Sequence, residues 1–398
     1  MKRYNSTLIK MTRRLGMAIA ALLMLSTMAS CSDQDSQAPA TGDEAYLNLS
    51  FSTASNTTSR ASRAGDIGKD ETPANPTAES DIHSIKVWVF KSGTGEKANP
   101  IAYKEDRLGG GTANGTYTLN LRFLRKINGE EIKNIDLYIL ANSESTNMAD
   151  KLNGKDFRSI TRADLQGVTF DKPFGITEKG KAETTEVPTE GLPISRAITN
   201  IEIADHVADT EIEAKERAIS IPLVRAVSKL HFYFARTADA AAMTGNVKVT
   251  RIEIDGNTFP KESYVFPDEE DYETADANKA ATSNKYRTPS YVASLLKLDG
   301  VENTGIKAVT DPLAYKRDEK TETAQAYMDR MNKEIGGHDL SYLRETNKPI
   351  KGKIYYQLAE GGIVKFREFT IPSEDKAIRN RELVVYGYFL QGGALCLD

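Results

Sequence analysis

The apolar residues of this chain are concentrated in short segments in which apolar and polar residues alternate, and polar stretches separate these segments. Residues 46–51 are the first such segment after the N-terminal region. In an extended chain Leu47, Leu49 and Phe51 lie on one side and the intervening polar residues on the other. This pattern is typical of a β-strand with one buried face.

The same alternation returns along the whole chain, and helical patterns are few. The segments predicted as strands lie at residues 85–90, 116–123, 136–142, 192–204, 219–234, 247–254, 263–266, 353–358, 363–371 and 382–390. Helices are predicted only within residues 143–166, where Thr161 is a candidate cap, and 321–335. Short strands between polar loops favour a mainly β fold of the sandwich type, and 398 residues suffice for two domains.

The N-terminus has the three parts of a secretory signal. Its basic residues are Lys2, Arg3, Lys10, Arg13 and Arg14. An apolar run at 15–25 and small residues follow, which predicts a signal peptide over residues 1–30. Residues 28–31 resemble a bacterial lipobox, which makes Cys31 the predicted lipidation site. The alternative is a simple secretory signal followed by a coincidental cysteine.

Removal of the signal makes the chain clearly acidic. The 52 basic residues include five in residues 1–30, which hold no acidic residue, so 47 basic and 56 acidic residues remain and the formal charge is −9. Such a chain is a poor partner for nucleic acid, and we expect membrane contact to come from lipid. A lipid on Cys31 leaves Cys396 without a disulfide partner.

Motifs for catalysis or cofactor binding are missing from the sequence. The four histidines are scattered, without metal-ligand spacing, and no nucleophile elbow or phosphate-binding loop occurs. The acidic residues 268–271 lack the spacing of a calcium loop and are interpreted as a solvated loop. The sequence therefore predicts no enzyme, no cofactor and no metal.

The connection after the first strand is unusual, because residues 52–80 are long and polar and include Arg60 and Arg63. A trypsin-like protease that cuts there would leave residues 46–51 attached only by hydrogen bonds and side-chain burial. Departure of the strand would expose unpaired backbone and an apolar groove, which invites a replacement strand from another chain. The alternative is an ordinary N-terminal linker.

Taken in order, several of these segments resemble the FimA/Mfa-type fimbrillins, the pilus subunits of Bacteroidales. The resemblance covers nearly the whole chain and is carried by Cys31, residues 45–64, 85–90, 137–142, 192–195, 221–230, 378–380 and 384–389.

The resemblance implies two transthyretin-like β-sandwich domains with short helices in the loops. It implies a lipidated propeptide at 31–63 that contains the removable strand, an N-terminal domain at 64–212 and a C-terminal domain at 213–398. It also implies export to the outer membrane, cleavage by an arginine-specific protease after Arg63 or Arg60, and assembly into a cell-surface fimbria by donor-strand exchange. The implied partners are other fimbrial subunits and a receptor on a host or bacterial surface.

The end of the chain departs from the pattern of stalk fimbrillins, which carry a further donor strand. Only Leu395 and Leu397 could begin such a strand, so either the sequence is truncated or the protein accepts a strand without donating one, as a tip subunit would. The competing hypothesis is an outer-membrane lipoprotein that never polymerises and binds surface glycans through exposed aromatic residues. Candidates for that role are Tyr286, Tyr291 and Tyr315.

Overall fold

The computed structural model describes most of the chain after the N-terminal region. The described residues are 43–53, 80–109, 116–152, 154–170, 187, 189–238, 247–255, 263–266, 296–299, 306–318, 321–322, 324–335, 337–346, 348–371, 379 and 382–398. Within these ranges strands predominate, and the predicted mainly β fold class is confirmed.

The strands fall into an N-terminal and a C-terminal group. The N-terminal strands are β1 (Glu44–Ser52), β2 (Ser84–Lys91), β3 (Ala102–Arg107), β4 (Thr116–Leu124), β5 (Lys126–Ile127), β6 (Glu130–Glu131), β7 (Asn134–Ala141), β8 (Thr169–Phe170), β9 (Ile194–Glu202), β10 (Val207–Ala208), β11 (Ile219–Pro222) and β12 (Val224–Arg225). The C-terminal strands are β13 (Ser228–Thr237), β14 (Lys248–Ile254), β15 (Ser263–Tyr264), β16 (Leu296–Asp299), β17 (Lys307–Val309), β18 (Gly337–Leu343), β19 (Ile350–Gln357), β20 (Lys365–Ile371), β21 (Glu382–Phe389) and β22 (Leu395–Leu397).

Two sheets form the N-terminal sandwich. The first sheet has the order β10-β1-β11, with β4 also paired to β1, and the second sheet has the order β12-β9-β7-β2-β3. Their inner faces enclose an apolar core that includes Ala45, Leu47, Leu49, Phe51, Ile85, Val87, Val89, Leu119, Leu121, Phe123, Ile135, Leu137, Ile139, Ile194 and Ile221. Alternate residues of each strand enter this core, as the period of a half-buried strand requires.

A second sandwich is formed by the C-terminal strands. The third sheet has the order β17-β13-β21-β22, with β18 also on β13, and the fourth sheet has the order β16-β14-β19-β20. Gly387 of β21 lies against the ring of Phe234, and a Cβ atom at this position would come within 2.6 Å of that ring. The glycine therefore allows close packing between two neighbouring strands.

Helices are short and lie between strands. The α-helices are α1 (Met148–Lys151), α2 (Arg162–Gln166), α3 (Glu211–Glu216) and α4 (Ala324–Glu334), and 3-10 turns occur at Ser143–Ser145, Phe157–Ser159 and Pro312–Tyr315. Thr161 caps α2 in a reciprocal capping box with Asp164, in agreement with the predicted cap. The stretch 143–166 thus forms two short helices and two 3-10 turns. No helix of the described part is long and apolar enough to cross a membrane.

Both faces of β2, a strand inside the second sheet, are buried. The alternation in β2 places Lys86 and Trp88 opposite the core, yet they are 3% and 0% exposed. Trp88 Nε1 donates a hydrogen bond to the carbonyl of Phe157 (2.8 Å), and Lys86 Nζ donates one to Ser143 Oγ (2.8 Å). The short helices therefore cover this face.

The two sandwiches are in contact through residues 263–266. Ser195 Oγ of the second sheet donates a hydrogen bond to the carbonyl of Val265 (2.6 Å), and β15 pairs with β8. Arg379 donates to the carbonyls of Val265 (3.0 Å) and Tyr264 (2.7 Å) and forms a buried ion pair with Glu345 (2.6 Å). One buried guanidinium thus joins several segments at this contact.

The predicted boundary between the domains 64–212 and 213–398 can be compared with the sheets that the strands after residue 212 join. β11 pairs with β1 and β12 pairs with β9, so both belong to the N-terminal sandwich, and the C-terminal sandwich begins with β13. We therefore propose a boundary between residues 225 and 228.

Candidate functional site: the buried first strand

β1 lies inside its sheet and has neighbours on both sides. On one side it pairs with β4 in an antiparallel register that runs from Glu44 opposite Leu124 to Ser52 opposite Thr116. On the other side its first half pairs with β10 and its second half runs parallel to β11. Departure of β1 would therefore open an unpaired edge on β4 and another on β10 and β11.

The inward face of β1 is completely buried. Leu47, Leu49 and Phe51, the predicted removable anchors, are each 0% exposed, and so is Ala45. All four belong to the apolar core of the N-terminal sandwich. Burial of a large apolar side chain stabilises a fold by about 1.5–3 kcal/mol, so the three predicted anchors together contribute about 5–9 kcal/mol. The strand therefore fills an apolar groove.

The outward face of β1 is covered by α3. Tyr46 is 6% exposed and packs with Ala208 and Ala214. The guanidinium of Arg122 lies 5.8 Å from the centre of the Tyr46 ring and also pairs with the carboxylate of Glu44. The groove would thus offer an incoming strand a second contact surface opposite the core.

Near the other end of β1, Tyr117 of β4 stands opposite Phe51. Its hydroxyl donates a hydrogen bond to Asp106 Oδ2 (2.6 Å), and burial together with this hydrogen bond raises the pKa of Tyr117 above its usual range. The hydroxyl stays protonated and keeps β3 and β4 linked at the rim of the groove.

The segment that joins β1 to β2 begins and ends at one place. Thr53 Oγ1 donates a hydrogen bond to the carbonyl of Ser80 (3.1 Å), and both residues are buried. The predicted cleavage sites Arg60 and Arg63 lie between Thr53 and Ser80, outside the described residues. Cys31, the predicted lipidation site before β1, also lies outside the described residues. A cut in residues 54–79 would separate β1 from β2 without breaking a described strand.

The predicted start of a donor strand, Leu395 and Leu397, is part of the C-terminal sandwich. Both belong to β22, which pairs antiparallel with β21, and Leu395 is 4% exposed. Within this molecule they close the edge of the third sheet.

Among the aromatic residues proposed for glycan contact, Tyr286 and Tyr291 lie outside the described residues. Tyr315 lines a surface depression of about 430 Å³ together with Asp311, Arg330 and Glu334. The Arg330 guanidinium, 5.8 Å from the ring centre of Tyr315, covers part of that ring. The side chain therefore has a packing role within the fold.

A metal-binding arrangement does not occur in the described part of the chain, where no group of three or more His, Cys, Asp or Glu residues is placed to hold an ion. The prediction that the chain is not an enzyme stays a prediction.

The sequence predicts the inward face of β1 and places Asn48 on the opposite, polar side, whose burial it does not reveal. Asn48 is 1% exposed because α3 and neighbouring strands surround it. Thr210, whose side chain caps α3, was a usable signal for a short helix here, and the buried Ala214 of that helix packs with Tyr46 of β1.

Comparison with known proteins gives structural similarity only. No protein family model and no curated protein matches the sequence. The chain is similar to the tip fimbrial protein Mfa3 from Porphyromonas gingivalis with a C-terminal truncation, with 15% identity, a TM-score of 0.45 and coverage of 89% of this chain and 98% of that one. It is also similar to a fimbrial assembly protein from Parabacteroides distasonis, with 12% identity, a TM-score of 0.41 and coverage of 89% and 100%.

The resemblance to fimbrillins seen in the sequence is thus accompanied by structural similarity to fimbrial proteins. Since both TM-scores are below 0.5, we base the functional proposal on the geometry of β1.

Proposed function

We propose that this chain is a structural or adhesive subunit of a fimbria and that it assembles by exchange of β1 for a strand of a neighbouring subunit. The observation that supports this proposal most is that β1 is an internal strand with a fully buried inward face, and that the segment after it carries Arg60 and Arg63. An arginine-specific protease that cuts after Arg63, or after Arg60, starts the exchange.

The covalent connection between β1 and β2 explains why the intact chain would stay unassembled. A strand that is covalently tethered next to its groove competes at an effective concentration of roughly the millimolar range, which a strand from another molecule does not reach. Cleavage turns the same contact into an intermolecular one, so β1 can dissociate and be diluted. The uncut chain is therefore the unassembled form of the subunit, in which β1 occupies its own groove.

After β1 leaves, the groove favours a strand from another chain. Its walls are the core face occupied by Leu47, Leu49 and Phe51 and the backbone edges of β4, β10 and β11. Water cannot replace the apolar contacts, and a single extended strand can satisfy both the backbone edges and the pockets. Strand addition thus gives a connection between subunits that needs no disulfide.

The predicted lipid would leave with the strand. Cys31 precedes β1 on the fragment that cleavage releases, so loss of β1 also removes the membrane anchor. This order of events takes the subunit from the outer membrane to a cell-surface fimbria, where other subunits and a surface receptor are its partners.

The N-terminus of the native protein tests this proposal. We expect mass spectrometry to find a chain that starts at Ala64 or Ala61 in fimbriae and a lipid-modified Cys31 in the membrane-bound, unassembled form. Fimbriae built from chains that retain Cys31 and residues 44–52 would contradict it.

A second candidate function is glycan binding, which one surface feature favours. On the outer face of the fourth sheet, Phe366 is 54% exposed, and its ring centre lies 5.8 Å from that of Tyr355. The Lys353 ammonium, which pairs with Glu368 (3.1 Å), lies 4.8 Å from the centre of the Phe366 ring, yet more than half of that residue stays exposed. An exposed ring on a rigid sheet next to charged hydrogen-bonding groups is suited to stack against a sugar.

A glycan array separates this role from assembly. We expect Phe366→Ala to lose at least about tenfold in array binding, which corresponds to the roughly 1.4 kcal/mol that one aromatic contact supplies. Ile363→Ala is the matched control, because Ile363 is 85% exposed and its loss removes apolar surface outside the ring pair. Equal array binding by both variants and the unchanged protein would contradict glycan binding through the Phe366 ring.

A further inference from the structure

The outward face of β1 contains one side chain that is poorly accommodated. Asn48 is 1% exposed, and among the described residues neither its Oδ1 nor its Nδ2 atom has a hydrogen-bond partner. The residue opposite it on β4 is Asn120, whose Oδ1 atom also lacks a partner within the described part. Three polar atoms of these two facing amides, both of Asn48 and the Oδ1 atom of Asn120, therefore lack a partner among the described residues.

The position of Asn48 in the sheet explains why its amide lacks partners. The residue before it, Leu47, pairs with β10, and the residue after it, Leu49, pairs with β11. Asn48 thus lies where one flank of β1 changes from one neighbouring strand to the other, and α3 packs against the same strand. Its amide is enclosed at this junction, and the facing amide of Asn120 forms no hydrogen bond with it.

An unsatisfied buried amide lowers the affinity of a strand for its groove, because its hydrogen bonds to water are lost without replacement. An apolar side chain of the same size would make the same contacts without that loss. Leucine is close to asparagine in shape, since both branch at the γ atom.

We propose that Asn48 makes β1 a replaceable strand and that the vacated groove prefers an incoming strand with an apolar side chain in the register of Asn48. The preferred partner is a strand with apolar residues in the registers of Leu47, Leu49 and Phe51. In the register of Asn48 it also has an apolar residue instead of a polar one. This inference rests on the proposed strand exchange and adds the chemistry of the partner strand to it.

Strand displacement from the full-length chain tests the preference. Residues 57–63 are replaced by the recognition sequence of a specific protease, the N-terminal fragment carries a fluorophore, and the cut protein keeps β1 in place. Competitor peptides then span residues 43–53 in three forms: unchanged, with Asn48→Leu, and with Ser50→Leu. The last form controls for added apolar surface on the same face, because Ser50 is only half-buried.

We expect the Asn48→Leu peptide to release the labelled fragment at about tenfold lower concentration than the unchanged peptide. The Ser50→Leu peptide should lower the concentration needed for release by a smaller factor. Equal displacement by all three peptides would overturn the preference and leave strand exchange intact. Failure of every peptide to displace β1 would instead contradict the exchange mechanism on which the inference rests.

The intact chain provides a second, independent readout. Asn48→Leu in the uncut protein is expected to raise the Tm of the N-terminal sandwich by about 2–4 °C, because the resident strand then fits its groove better. An unchanged or lowered Tm would overturn the inference whatever the peptides show.

Discussion

The double variant Arg60→Ala, Arg63→Ala is expected to remain full length, to keep its lipid anchor and to form no fimbriae. Both arginines lie in the segment between Thr53 and Ser80, whose ends are joined by a hydrogen bond. Without a cut in this segment, β1 remains tethered beside its groove and outcompetes strands of other molecules. Electron microscopy of surface filaments and gel mobility of the subunit measure the two effects.

Lys69→Ala is the matched control for the double variant, because Lys69 lies in the same segment and is not a site for an arginine-specific protease. This variant should be cleaved and should assemble normally. The single variants identify the cleaved bond: we expect Arg63→Ala to reduce assembly more than Arg60→Ala. Normal fimbriae from the double variant would remove proteolysis from the mechanism.

The second large effect is expected when β1 is removed. A chain that starts at Ala64 lacks Leu47, Leu49 and Phe51, which together contribute about 5–9 kcal/mol. A domain is stable by only about 5–15 kcal/mol in total, so the loss is comparable to the whole stability of the N-terminal sandwich. We expect this chain to lose cooperative unfolding of that sandwich or to associate with other copies. The C-terminal sandwich has its own core and should unfold as it does in the intact protein.

The sequence was sufficient to predict most of the longer strands and the inward face of β1, because alternation with a period of two is a local property. The strands β3, β17 and β18 were not predicted. The partners of β1 were not predictable in this way. β4 lies about 70 residues away and β11 about 170, and no local pattern records which strands pair over such distances. That β1 is an internal strand, which the proposed function requires, is therefore learned from the structure.

The same limit explains the residues whose burial was not expected. Trp88 and Lys86 were placed opposite the core, but the short helices at 143–166 cover them. The stretch 219–234 has the pattern of one long strand, yet the structure divides it into β11, β12 and β13, of which the first two belong to the N-terminal sandwich. Local pattern indicates which residues are extended, whereas the sheet that each joins depends on distant partners.

Whether a separate strand can fill the place of β1 is tested by binding of a peptide of residues 43–53 to the chain that starts at Ala64. We expect saturable binding that restores cooperative unfolding of the N-terminal sandwich. We expect no binding by the same peptide with Leu49→Asp, because the added carboxylate would be buried without a partner. A chain from Ala64 that is fully folded alone, or that binds both peptides equally, would contradict this expectation.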